Sequence, residues 1–139
     1  MNNEIDLVNL EKSLKTLIEG FKKFKNSKDK DLEILLEDGC IQRFEYVYEI
    51  SWKTMKKFLK VQYGKSEEEL TVSNVFRLMG GFEFINNWED WKNYHTKRNE
   101  SSHECNIEKS REVIKIIPEF INDAQILLKN LKIELESGK

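Results

Sequence analysis

Cysteine, proline and glycine are scarce in this chain, at two, one and six among 139 residues. Two cysteines, Cys40 and Cys105, are too few for a disulfide framework or an ordinary zinc site. A single proline and so few glycines exclude a low-complexity or collagen-like chain. No apolar run approaches the roughly 18 residues of a membrane span, and Met1-Asn2-Asn3-Glu4 opens no apolar leader, so the expectation is a cytoplasmic protein without a membrane partner. Charge of one sign is missing too. With 23 basic and 25 acidic residues the net charge is −2, which gives no global attraction to nucleic acid, so any RNA contact must come from a local basic patch. No segment alternates as a strand does, no glycine-rich phosphate loop follows a strand, and no internal repeat is visible.

What is present is the balance of a helical protein with heavily charged outer faces: 35% charged and 39% apolar residues. The length fits one domain, 1–139, able to bury a core of its own. Leu7, Leu10, Leu14, Leu17, Phe21 and Phe24 recur at steps of three and four, the seam of an amphipathic helix that needs a partner. The lysine-rich run from Lys25 to Lys30 reads as a connection. From about Leu32 to Tyr63 a second helix carries Ile41, Phe44, Tyr48, Trp52, Met55 and Leu59 on one stripe; Trp52 is assigned to the core, Gly39 marks a break near the start, and Gly64 is placed as the C-terminal cap. Thr71 caps a short helix that ends at Gly80-Gly81. Asn87 caps a helix with Trp88, Trp91 and Tyr94 on its face. Asn106 caps the last, along which Val113, Ile117, Phe120, Ala124, Leu127 and Leu131 align and which Pro118 should bend. The fold class that follows is all-α, an antiparallel up-and-down bundle of four to five helices.

The segment Arg98-Asn99-Glu100-Ser101-Ser102-His103 is the one that carries chemistry. Arginine grips phosphate oxygens with a planar fork of donors, and histidine moves protons near neutral pH, so together they suit a phosphodiester. Positions five apart on a regular helix are separated by about 140° of rotation. Arg98 and His103 therefore meet only if the helix ends near Ser101-Ser102, or if two copies of the chain each supply an arginine and a histidine. A capping box of Ser101 with Glu104 is a competing reading of the same residues. Asn99 offers an amide to orient a substrate or a neighbour, His95 is read as surface or packing, and a metal set of His95, His103 and Cys105 lacks a fourth ligand. Lys53, Lys56, Lys57 and Lys60 form a basic face that either tracks an RNA backbone or is simply solvated.

The run Ile41-Gln42-Arg43-Phe44-Glu45-Tyr46, continuing through Tyr48-Glu49 to Trp52-Lys53-Thr54, resembles the second helix of the nucleotidyltransferase substrate-binding proteins, a family within the HEPN superfamily. The Arg-Asn-x3-His segment at Arg98 to His103 resembles that superfamily's hallmark, and the order of helices agrees along nearly the whole chain.

This resemblance implies a helical bundle that forms a homodimer and works beside a minimal nucleotidyltransferase, with RNA or a nucleotide as ligand and neither cofactor nor metal. It implies a metal-independent ribonuclease of toxin–antitoxin type: His103 as general acid or base for attack of a ribose 2′-hydroxyl on the adjoining phosphate, Arg98 stabilising the charge on phosphate oxygens, and Asn99 supporting the geometry. Arg43 and Glu45 are weaker candidates for substrate binding, with an ion pair as the competing explanation. The alternative the family also offers is a non-catalytic subunit that binds substrate for the nucleotidyltransferase. One position departs from the toxin pattern. Cys105 stands where a tyrosine that the partner modifies is common, which favours control by complex formation.

Overall fold

The computed structural model describes residues 5–103 and 107–137, without the side chains of 101–103. Among the described residues there are five α-helices and one short 3-10 turn: α1 Val8–Asn26, α2 Lys30–Tyr63, the turn Glu67–Glu69, α3 Val72–Gly81, α4 Trp88–His103 and α5 Ile107–Ser137. The all-α bundle expected from the spacing is the architecture observed. Helix α1 packs chiefly on α2 and also on α5, while α4 lies against α3, α5 and α2.

Local chemistry sets the boundaries. Asp29 turns the chain between α1 and α2, its Oδ1 accepting from the backbone N–H groups of Asp31 and Leu32 at 2.9 and 3.3 Å. Gly64 ends α2 in the left-handed conformation, φ 64°, where a side chain would be strained. Thr71 Oγ1 accepts from Asn74 N at 3.3 Å and Asn87 Oδ1 from Glu89 N at 3.0 Å, so both expected caps are in place. Gly80 and Gly81 form the last turn of α3 itself.

Two expectations are corrected. Gly39 makes no break: α2 is continuous from Lys30 to Tyr63, because a lone glycine costs a helix only about 1 kcal/mol and Cys40 and Ile41 just beyond it are buried in the core. Trp52 is half-buried at the margin of the core rather than inside it. The buried line of α2 runs through Phe44, Val47, Tyr48, Ser51, Met55 and Phe58, and position 52 falls on its flank, where the Lys56 ammonium sits 5.5 Å above the indole. The buried place goes to Ser51, whose hydroxyl donates to Val47 O at 2.7 Å. Helix α5 runs from Ile107 to Ser137 with Pro118 inside it, as the spacing places it, the proline exposed to solvent. Asn106 and Glu104, assigned as cap and capping-box partner, lie outside the described residues.

The core centres on aromatic rings. Phe120 of α5 meets Phe44 of α2 at 4.9 Å, Tyr94 at 5.1 Å and Trp91 at 5.7 Å, each edge to face. Trp91 and Tyr94 are fully buried, so the first two turns of α4 are clamped between α2, α3 and α5. That clamp fixes the direction in which the following polar turns of α4 project.

Candidate functional site

The polar turns of α4 meet α2 at its middle. His95, Arg98 and Asn99 stand at i, i+3 and i+4, one face of α4, and opposite them α2 offers Tyr48 and Glu49. Tyr48 is buried by the core line of α2, and its hydroxyl lies 2.7 Å from His95 Nδ1. Asn99 Nδ2 is 3.2 Å from the other ring nitrogen, Nε2. With the amide donating, Nε2 accepts, and the Nδ1 proton is given to the tyrosine oxygen. Both nitrogens of a neutral imidazole are then engaged. Burial holds the His95 pKa below the ordinary histidine value, against an upward pull from Glu49 and with a further lowering by Arg98. Burial, and after it Glu49, pushes the Tyr48 hydroxyl well above its usual range, so it stays protonated. His95 is thus a packing and positioning residue, and it holds Asn99 in register with Arg98.

Arg98 is half-buried, and Glu49 Oε1 lies 2.9 Å from its Nε. That nitrogen is screened from solvent and the oxygen sits off the N–H line, so the contact is an ion pair rather than an aligned hydrogen bond. Glu49 also faces Lys53 one turn on, at 3.9 Å. The neighbouring Lys97 turns the other way, to Glu112 of α5 at 3.1 Å. A guanidinium gripped along one edge by a carboxylate is oriented before any ligand arrives, the property an anion-binding arginine needs.

Other candidates fall elsewhere. Arg43 is directed at α1: its Nη1 donates to Thr16 O at 2.7 Å and lies against Gly20, where an added Cβ would come within 3.1 Å of it. It ties two helices together and takes no part beside Arg98. Glu45 is half-buried one turn before Glu49 on α2. Helix α4 stays helical through Ser101 and Ser102 to His103, so it does not end early to let that histidine swing back. His103's side chain, with Cys105, lies outside the described residues.

Glu49 was not singled out from the sequence, where the acidic partner was sought at Glu45. A signal existed: Glu49 adjoins core-facing Tyr48 and is therefore drawn partly inside, where a carboxylate requires a cation. Among the described residues one group has metal-ligand spacing, Asp90, Glu119 and Asp123, whose ligand atoms lie within 4.8 Å of one another. It differs from the set considered above, and one of its oxygens, Asp123 Oδ2, accepts the Tyr94 hydroxyl.

Residues 5–133 match the family described as nucleotidyltransferase substrate binding protein like. The chain belongs to that family. Over 96 residues it is 31% identical to a protein of Haemophilus influenzae named a probable ribonuclease HepT, the aligned stretch covering 68% of this chain and 66% of the relative, just under two thirds of its length. A solved Haemophilus influenzae structure, described as revealing the fold of a substrate-binding domain of a nucleotidyltransferase, superposes with a TM-score of 0.83 at 26% identity, covering 91% of this chain and 99% of that one. A Thermus thermophilus protein shares the fold, with a TM-score of 0.73 at 23% identity over 88% of this chain and 98% of its own. The nucleotidyltransferase substrate-binding family is thus the frame for Arg98 and Glu49. No described helix is long and apolar enough to cross a membrane.

Proposed function

We propose that this family member is a metal-independent endoribonuclease of toxin type that acts in the cytoplasm with a minimal nucleotidyltransferase, its site formed where two copies of the chain meet. The observation that carries the reading is the fixed guanidinium of Arg98, held 2.9 Å from Glu49 on the polar half of α4. The name of the Haemophilus relative, a probable ribonuclease, supports it. On an unbroken helix Arg98 and His103 diverge by about 140°, so a second copy is the simplest way for an arginine and a histidine to converge on one phosphate.

In this mechanism the ribose 2′-oxygen attacks the adjacent phosphorus and the bond to the 5′-oxygen breaks, giving a cyclic phosphate and a free 5′-hydroxyl. His103 takes the 2′ proton or supplies the one that leaves with the 5′-oxygen. Arg98 stabilises the charge on the non-bridging oxygens, and Asn99, held by His95, offers its amide beside Arg98 to support the geometry. His95 has both ring nitrogens engaged, so the proton-moving role falls to His103.

The test is incubation of purified protein with total RNA and tRNA in EDTA, wild type beside His103→Ala, with folding checked by circular dichroism. Wild type cuts and leaves cyclic phosphate ends, while the variant loses a factor of roughly 10² to 10⁴. Equal cutting by both overturns the assignment. A second reading is favoured by the description of the Haemophilus structure as a substrate-binding domain: the same arginine holds a nucleotide for the nucleotidyltransferase without cleavage. Silence of both proteins in the assay, with a stable complex on mixing with such an enzyme, selects that reading.

A further inference from the structure

The outward face of α2 is divided. From Glu49 onward, Lys53, Lys56, Lys57 and Lys60 fall within roughly 100° of rotation, one stripe that begins at the carboxylate holding Arg98. The stripe does not simply stand out in solvent. The turn Glu67–Glu69 packs beside it, and between them lies an open groove of about 420 Å³ lined by Lys53, Lys56, Lys57, Lys60, Val61 and Glu67. Four ammonium groups face one carboxylate there, in a protein whose net charge is −2.

The groove is also partly ordered in advance. Glu67 receives hydrogen bonds from both Lys56 and Lys60, the latter at 2.7 Å, and the two lysines hold its carboxyl down to about 2, so it stays ionised. Glu67 is itself placed by the capping box of Ser66 with Glu69 that builds the turn. Lys53 and Lys57 are exposed, and Lys53 reaches back to Glu49, at 3.9 Å.

We propose that this lysine groove is the subsite for the RNA backbone flanking the phosphate held at Arg98, an inference that rests on the ribonuclease reading. Three features select that ligand. The groove runs along α2 for about 12 Å from Lys53 to Val61, at 1.5 Å per residue, and begins one turn beyond Glu49, so a strand leaving Arg98 along the helix enters it without turning. The charge is an accumulation of one sign, which suits a polyanion and not a single carboxylate. And the cations are all lysines, point charges without the planar fork that reads base edges, so the groove holds phosphates and is indifferent to sequence.

The test is fluorescence anisotropy with a labelled single-stranded RNA of about a dozen nucleotides, in EDTA, across a salt series, on the full chain carrying His103→Ala so that no cutting intervenes. Lys53→Gln with Lys57→Gln removes two exposed charges that no core contact needs. Lys12→Gln with Lys15→Gln on exposed α1 positions removes the same net charge elsewhere. The groove variant weakens binding about tenfold at low salt and lowers the salt slope by about 1.4, the release expected from two phosphate contacts on a single strand, while the α1 variant changes neither. Equal losses in both variants, unchanged binding in the groove variant, or no RNA binding by the parent each overturn the proposal. The two readings separate cleanly: a parent that binds through the groove in a chain that never cuts RNA keeps this subsite and removes the ribonuclease, and a cutting enzyme with an indifferent groove does the reverse.

Discussion

The two halves of α4 are built for opposite purposes. Its first turns carry Trp91 and Tyr94, sealed among Phe44, Phe76 and Phe120, so the face they turn to the core is closed to a ligand. Its next turns carry His95, Arg98 and Asn99: His95 meets the Tyr48 hydroxyl and Arg98 the Glu49 carboxylate, both on α2, while Asn99 meets the His95 ring within α4. Ring packing is tolerant of chemistry but not of volume, whereas the polar half is tolerant of volume but depends on each donor and acceptor. The difference teaches how a small bundle holds a charged group steady: the rigid half supplies the direction of the helix, and the ion pair with Glu49 supplies the last constraint on Arg98.

Breaking the rigid half should have the largest effect. Phe120→Ala removes the ring on which Phe44, Trp91 and Tyr94 converge and should cost about 3–5 kcal/mol, read as a fall in the urea midpoint at unchanged slope. A loss under about 1 kcal/mol would mean that the aromatic centre is not what orients α4.

Breaking the polar half should cost function more than stability. Glu49→Gln keeps the shape but removes the charge beside Arg98, and cleavage in EDTA should fall about 10- to 100-fold while the circular dichroism spectrum is retained. Asp38→Asn, an exposed carboxylate three turns earlier on α2, should leave cleavage within about twofold. Equal losses in the two variants would remove Glu49 from the site.

Gly64→Ala probes a local constraint far from either half. Its φ of 64° is unfavourable for alanine by about 1–2 kcal/mol, so the variant should melt several degrees lower with cleavage unaltered. A change in cleavage would tie the end of α2 to the site.

Most of the scaffold was legible in the sequence because it rests on periodicity and short-range capping. Thr71, Asn87 and Gly64 hold the positions their chemistry suggested, and Phe120 and Leu127 lie on the stripe that the spacing drew. The pairings across helices were not legible. Arg43 and Glu49 lie six apart on the same helix, yet one turns to α1 and the other to α4, and only the three-dimensional packing distinguishes them. Trp52 was misread for a related reason: its spacing from Tyr48 and Met55 is helical, but the buried line is narrower than the apolar stripe, and Ser51 fills the inner place. Arg98 is a candidate from its motif alone, while the engagement of His95 by Tyr48 depends on a contact 47 residues away in the chain.

The smallest effect should come from the acidic group beneath the rigid half. Burial raises the Asp123 carboxyl above its ordinary value, the Tyr94 hydroxyl draws it partly back, and Asp90 adds to the raising; Glu119, largely exposed, is raised by partial desolvation and by Asp90 and Asp123. A carboxyl whose folded pKa exceeds its unfolded value disfavours folding when ionised, so the relative stability it lends is fully present below the unfolded pKa and is lost as pH rises through the folded one. Glu119→Gln removes one of the three mutually repelling charges. The variant should therefore melt slightly above wild type at pH 7, by a few tenths of a kcal/mol at most for so exposed a group, and the gain should vanish near pH 3.5. A melting temperature that falls at pH 7 would mean that Glu119 is a needed partner in that cluster, and the division of α4 into a purely packed half and a polar half would no longer hold.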